Sequence, residues 1–219
     1  MTRLDILSDP ICPWCYIGKA KLDAALAATP YPFEITWRPF QLNPDMPPEG
    51  MDRRAYLNAK FGEERATAFY AQIEQAARDA GLEVNFDAIE RTPSTIDAHR
   101  VIRWAGQTGD QGALKDALFR AYFVEGKDIS DRDLLAELGA EAGLEADVTR
   151  RLLDGDADVA EVKAEDAEAR QMGVTGVPTF LIGGRYAVQG AQDTATWEGI
   201  IADLSAARDQ MTEGGASAT

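Results

Sequence analysis

The sequence predicts an α/β protein whose sheet is assembled from the two ends of the chain, with a long helical insertion between them. Three observations predict it. LDILSD and FEITWRPFQL read as strands flanking a helical stretch near the N-terminus. VPTFLIGGRYAVQG reads as a β-hairpin near the C-terminus. Between about Asp52 and Met172 almost every segment carries the apolar spacing of a helix. The β-elements at the two ends must meet in one sheet, and the helical block then covers one side of it.

Each element has a local cause. Leu4 to Asp9 alternates apolar and polar residues and stops at Pro10, as a strand does. From Pro13 to Ala28, the residues Ile17, Ala20, Leu22, Ala25 and Leu26 form a stripe near helical spacing, closed by Thr29-Pro30. Phe33 to Leu42 is a second strand, with Pro39 marking a break or an edge, and Asn43 to Gly50 is a loop. In the insertion, Phe69, Ile73, Ala76, Ala77 and Ala80 share one face, ending at Gly81. Ser94 and Asp97 stand at capping-box spacing before a helix over 95–107. Helices over 110–125, 131–142, 146–153 and 156–172 follow. Val177 to Gly190 is a hairpin around Gly183-Gly184, followed by a helix from about Asp193 to Ala207. Residues 1–50 and 173–210 are thus expected to form one domain, 51–172 the insertion, and 211–219 a disordered tail.

Composition narrows the function. The 219 residues carry a formal net charge of −15, which repels phosphate backbones and argues against a nucleic-acid partner. No run approaches the length of a membrane span, and MTRLDILSD reads as a strand and not as a secretory signal. A cytoplasmic location is the expectation.

The chain has two cysteines, Cys12 and Cys15, in SDPICPWCYIGK. A cysteine just before a helix faces unpaired N–H groups and the positive end of the helix dipole, which favour its thiolate. Cys12 is expected there, exposed and nucleophilic, with Pro13 at a favoured first-turn position. Cys15 falls one turn later, more buried, placed to resolve a mixed disulfide. A structural zinc needs about four ligands, and the chain adds only one distant histidine, His99. Haem attachment needs a histidine where Tyr16 stands. No metal is expected. Trp14 either packs over the active-site surface and receives an apolar substrate, or caps the helix as a half-exposed aromatic. His99 is expected to be a satisfied structural residue, and Asn43 a turn residue. Pro178 opens the returning strand. Sequence alone does not choose between a trans proline and a cis one that would leave the Val177 backbone free for an extended substrate.

SDPICPWCYIGK, RPFQLNP, TIDAHRVIRWA, GVTGVPTFLI and AVQGAQ together resemble the thioredoxin-fold oxidoreductases of the DsbA superfamily, over almost the whole chain. The nearer likeness is to its FrnE-like branch, which also holds 2-hydroxychromene-2-carboxylate isomerases and kappa-class glutathione transferases. The resemblance implies a thioredoxin fold with the helical block inserted between the second strand and the C-terminal hairpin. It implies a cis Pro178 against the cysteine pair, with Thr175, Gly176 and Val177 lining the groove beside Cys12. It brings the loop of Asn43 and the helix of His99 toward the active site. Isomerase and transferase members carry serine where Cys12 stands and bind glutathione; both cysteines are kept here. The function expected is thiol–disulfide oxidoreduction on protein, peptide or low-molecular-weight thiols. Glutathione is a candidate substrate or co-substrate, and no other cofactor is expected. The alternatives are a glutathione-dependent isomerase or transferase acting on a small aromatic or polyketide-like compound, and a chaperone-type binding protein. The protein is expected to be a monomer or homodimer.

Overall fold

The computed structural model describes the backbone of residues 1–216, and the side chains within that range except those of residues 63, 64, 209 and 211–216. The chain opens with strand β1 (Thr2–Ser8), helix α1 (Pro13–Ala28) and strand β2 (Phe33–Pro39). The insertion holds strand β3 (Met51–Asp52), α2 (Arg53–Phe61), α3 (Glu63–Asp79), a 3₁₀ turn at Phe86–Ala88 and strand β4 (Arg91–Thr92). It continues through α4 (Ile96–Thr108), α5 (Gln111–Phe123), α6 (Arg132–Glu141), α7 (Ala146–Asp154) and α8 (Val159–Gln171). Strands β5 (Thr179–Ile182) and β6 (Tyr186–Gln189) then lead to α9 (Thr194–Ala216).

Among the described residues the two chain ends form one four-stranded sheet in the order β2-β1-β5-β6. β1 and β2 run parallel, from Thr2 opposite Phe33 to Ser8 opposite Pro39, and α1 makes the crossover. β5 runs antiparallel to β1, with Leu4 opposite Ile182, and β6 antiparallel to β5. β1 is buried on both faces. Leu4 and Ile6 join the main core with Leu22 and Ala25 of α1, while Leu7 packs with Phe40, Ala169 and Val174. α9 lies along α1 and seats Trp197 edge-on against Phe180, with ring centroids 4.7 Å apart. Burying one such ring contributes about 1.5–3 kcal/mol.

The insertion rests on the helix that carries the cysteines. Tyr16 of α1 packs against both Phe119 and Phe123 of α5, with centroids at 5.2 and 5.7 Å. Trp14 and Ile17 meet Ile73 and Ala77 of α3. α4 and α8 pack on β2.

Four details differ from the sequence reading. β2 ends at Pro39, not Leu42, because the next N–H groups leave the ladder for carboxylates: Gln41 N donates to Asp166 (2.7 Å) and Leu42 N to Asp9 (2.6 Å). α4 is capped at Thr95 without a side-chain bond, and Asp97 is engaged instead by Arg100 and Arg132. β3 pairs with β4, a two-residue ribbon too short for a periodic signal. α9 runs on to Ala216 through most of the expected tail. The rest of that tail, residues 217–219, lies outside the described residues.

Candidate active site

The β1–α1 connection brings Cys12 to the head of α1. Asp9 shapes it: its carboxylate accepts from Ile11 N at 3.3 Å and Leu42 N at 2.6 Å, and its carbonyl accepts from Cys12 N at 3.0 Å. Cys12 is the N-cap, extended at φ −89° and ψ 112°, and Pro13 follows at the first helical position. Its carbonyl accepts from Cys15 N at 3.0 Å, which sets the second cysteine one turn on. Both cysteines are free, and their sulfurs lie within hydrogen-bond reach of each other.

The returning chain faces this pair. The Val177–Pro178 bond is cis, and the Val177 carbonyl accepts from Cys12 Sγ at 3.5 Å. Thr179 Oγ1 donates to Gly176 O at 2.8 Å, and Gly190 N donates to Pro178 O at 2.8 Å, which ties the turn to the hairpin. Pro178 is buried, Gly176 and Val177 are half-buried, and Thr175 is exposed.

The electrostatics reverse one expectation. Cys12 is only 3% exposed and Cys15 only 1%. Burial pushes the Cys12 thiol well above its ordinary pKa, and the neighbouring Cys15 pushes the same way. The helix head still favours the thiolate, through the Cys15 N–H, but burial outweighs it. At Cys15, burial is outweighed by the hydrogen bond from Cys12, the charge of Lys115 and the hydroxyl of Ser8, and its pKa falls. The two thiols interact closely enough to titrate as a pair.

Pro13 is half-buried beside Cys12. Trp14, also half-buried, packs onto α3 with Phe69, Tyr70 and Ile73. His99 is 2% exposed, but its Nε2 has no hydrogen-bond partner among the described residues; Asp9 Oδ1 stands 3.8 Å away. It is expected to be a satisfied residue, and its Nε2 is not satisfied. Burial, aided by Lys115, drives its pKa down to about 3, so it is a neutral imidazole near pH 7. Asn43 is engaged with α2: its Oδ1 accepts from Tyr56 Oη at 2.9 Å and Lys60 Nζ at 2.8 Å.

Three residues behind the pair had not been singled out from the sequence. Asp9 is fully buried, and burial raises its pKa to about 6. Lys115 is 1% exposed and donates to Ser8 Oγ at 3.0 Å. Its signal was present: Lys115 occupies the same helical face as Leu118, Phe119 and Tyr122, a polar residue in an apolar register. Among the described residues no group of three or more His, Cys, Asp or Glu could hold a metal ion, and no helix is long and apolar enough to cross a membrane.

A parallel βαβ unit, an antiparallel hairpin, a Cys-x-x-Cys pair at a helix head and a cis proline opposite it define a thioredoxin-type dithiol site. Residues 3–202 match the model of the DSBA-like thioredoxin domain, and the chain belongs to that family. A protein from Streptomyces coelicolor described as a probable DsbA oxidoreductase is 35% identical, with a TM-score of 0.83 over 93% of this chain and 89% of that one. YwbO of Bacillus subtilis (strain 168), an uncharacterized protein, is 28% identical over 207 residues, which are 92% of this chain and 96% of that protein. The cytosolic disulfide reductase DsbM of Pseudomonas aeruginosa, solved with GSH, shares the fold at 24% identity, with a TM-score of 0.61 over 96% of this chain and 99% of that one.

Proposed function

We propose that the protein is a cytoplasmic thiol–disulfide oxidoreductase that exchanges disulfides with protein or low-molecular-weight thiols through Cys12 and Cys15. The observation that carries this reading is the free dithiol at the head of α1, with Cys12 Sγ 3.5 Å from the Val177 carbonyl. A dithiol at that junction can meet a substrate sulfur while the backbone before Pro178 receives the rest of the substrate.

In the reducing direction Cys12 gives up its proton and attacks a substrate disulfide. A bond forms between Cys12 and one substrate sulfur, and the other leaves as a thiolate that takes a proton. Cys15, once it has lost its proton, then attacks Cys12 Sγ. The enzyme disulfide forms, the second substrate thiolate leaves, and two electrons have passed to the substrate. The oxidising direction is the reverse. Pro178 holds the groove that positions the substrate, and Pro13, Trp14, Thr175, Gly176 and Val177 border it; Asn43 and His99 support its walls. Burial of Cys12 favours small thiols over folded protein disulfides, and glutathione is the leading candidate, as DsbM was solved with GSH. No other cofactor is needed.

The test is the equilibrium of the pair in a glutathione buffer, followed by trapping with Cys15→Ser. The variant should accumulate a mixed disulfide at Cys12 and lose insulin reduction. If Cys15→Ser keeps full turnover on a thiol-conjugation substrate and the wild type never equilibrates with glutathione, the transferase reading replaces this one.

A further inference from the structure

We infer that α2 and α3 form a lid over the dithiol, latched by Tyr56 and Lys60 on Asn43, and that a substrate disulfide reaches Cys12 when the lid opens. On the oxidoreductase reading, on which this rests, the lid controls entry to the pair.

Two fastenings join α2 and α3 to the chain segments that adjoin Cys12. On one side Trp14, which stands between the cysteines, packs onto α3 with Phe69, Tyr70 and Ile73. On the other, Asn43 Oδ1 accepts from Tyr56 Oη at 2.9 Å and from Lys60 Nζ at 2.8 Å, and Lys60 Nζ also donates to Tyr56 Oη at 2.7 Å. Asn43 directly follows Leu42, whose N–H is held by the carboxylate of Asp9 in the β1–α1 connection. With both fastenings made, Cys12 is 3% exposed. Thiol–disulfide exchange depends on access to the attacking sulfur, and so small an exposure leaves little room for a disulfide-bearing chain.

Little apolar burial holds the two helices down. Among the described residues α2 buries only Arg53, and α3 buries Ala66, Ile73 and Ala77, whereas α5 buries Leu114, Leu118, Phe119, Tyr122 and Phe123. A crevice of about 810 Å³ lies among Leu57 of α2, Tyr70 of α3, and Phe86 and Ile89 of the segment before β4, so the helices are underpacked against the body. Arg53 lines this crevice and ties across it, donating to Tyr70 Oη at 2.9 Å and to Tyr122 Oη of α5 at 3.1 Å. A segment with few buried apolar contacts opens locally, without global unfolding. The latch is also weak, for Lys60 is exposed and Asn43 Nδ2 is buried with no hydrogen-bond partner among the described residues. The two helices lie between Gly50 and Gly81, both in left-handed backbone at φ 68° and 73°. Nothing stands within 4 Å of where a β-carbon on Gly81 would lie, so that end is free to pivot.

The test uses Cys15→Ser protein, in which Cys12 is the one thiol, with Tyr56→Phe and Lys60→Met added singly. Two rates are read: alkylation of Cys12 by a maleimide that carries a polymer chain, and hydrogen exchange of the α2 and α3 amides. Each substitution removes latch bonds and should raise both rates by about fivefold, while the α5 amides exchange as before. Tyr56→Phe changes no charge, so faster alkylation there is not a change in thiol acidity. Faster exchange with alkylation unchanged would show that the helices open without uncovering Cys12, and it overturns the inference. Faster alkylation with exchange unchanged overturns it too, as do unchanged rates in the folded variants. If one variant does not fold, the other decides. A wild-type pair that never equilibrates with glutathione sinks the oxidoreductase reading, while alkylation needs no redox partner and still tests the lid.

Discussion

Gly18 and Pro178 are in direct van der Waals opposition: a β-carbon on residue 18 would lie 3.0 Å from Pro178 Cγ and 3.4 Å from the Ala191 backbone. The second turn of α1 thus lacks a side chain where the returning loop crosses it. A helix-interior glycine costs about 1 kcal/mol relative to alanine, and here the close crossing explains it. Gly18→Ala should be nearly neutral, its helix gain offset by a small shift of the proline ring. Gly18→Val should cost about 1–3 kcal/mol and slow disulfide exchange, because the displaced ring borders Cys12. Thermal melts and insulin reduction check both. A Gly18→Val protein as stable and active as the wild type would refute the crossing.

His99 should shape the acid limb of stability. An imidazole in the unfolded chain takes a proton near pH 6.5, but in the fold only near 3. Between those values the unfolded chain binds more protons, so stability falls as pH drops, by about 1.4 kcal/mol per unit. Asp9 acts with the opposite sign between its ordinary 3.8 and its folded value of about 6, since the fold holds that proton more tightly. The two nearly cancel where their windows overlap. In His99→Gln only the Asp9 contribution remains, so the stability difference between variant and wild type should move by about 2 kcal/mol in the variant's favour from pH 6.5 to 4.5. Urea melts at the two pH values measure it; a constant difference would show that His99 titrates normally.

Much of this arrangement was legible in the residues. The bounds of α1 follow from Cys12-Pro13 at one end and Thr29-Pro30 at the other, local signals that tertiary contacts reinforce. The hairpin and the cysteine pair were legible for the same reason. The burial of the pair was not. A helix head by itself favours a Cys12 thiolate, and the burial that instead raises the Cys12 pKa comes from the chain folded around it. Sequence spacing carries no information on desolvation by a distant helix. The early end of β2 has the same origin, since its N–H groups are captured by Asp9 and Asp166 from elsewhere in the chain.

Gln111 closes the outer edge of the sheet. Its side-chain oxygen accepts from Trp37 N at 2.9 Å, and its Nε2 donates to Ile102 O at 2.9 Å and Trp37 O at 3.4 Å. An open edge is a template for pairing with another chain. Gln111→Ala should cost about 1–3 kcal/mol for the groups left unpaired and raise the tendency to self-associate. Light scattering during storage and thermal melts test it. An unchanged melting temperature would mean that water replaces the amide at no loss.

Arg100 holds the end of α7. It is wholly buried, and its guanidinium donates to the carbonyls of Ala157 (2.6 Å), Gly155 (2.9 Å), Leu153 (3.4 Å) and Leu152, and to Asp97 at 2.7 Å. The last carbonyls of a helix have no partner within it, and here one side chain from α4 satisfies them. Arg100→Met fills the volume but leaves buried carbonyls and Asp97 without that donor, at a cost of about 3–5 kcal/mol. For a chain of this size that lowers the melting temperature by about 10 °C. Arg100→Lys keeps the charge but cannot fork to several carbonyls, so it should recover only a minor part. Because α7 is remote from Cys12 in the chain, the folded fraction of either variant should keep the wild-type equilibrium with glutathione. A shift in that equilibrium, or a melting temperature held by Arg100→Lys, would show that charge and not the carbonyl cap is what Arg100 supplies.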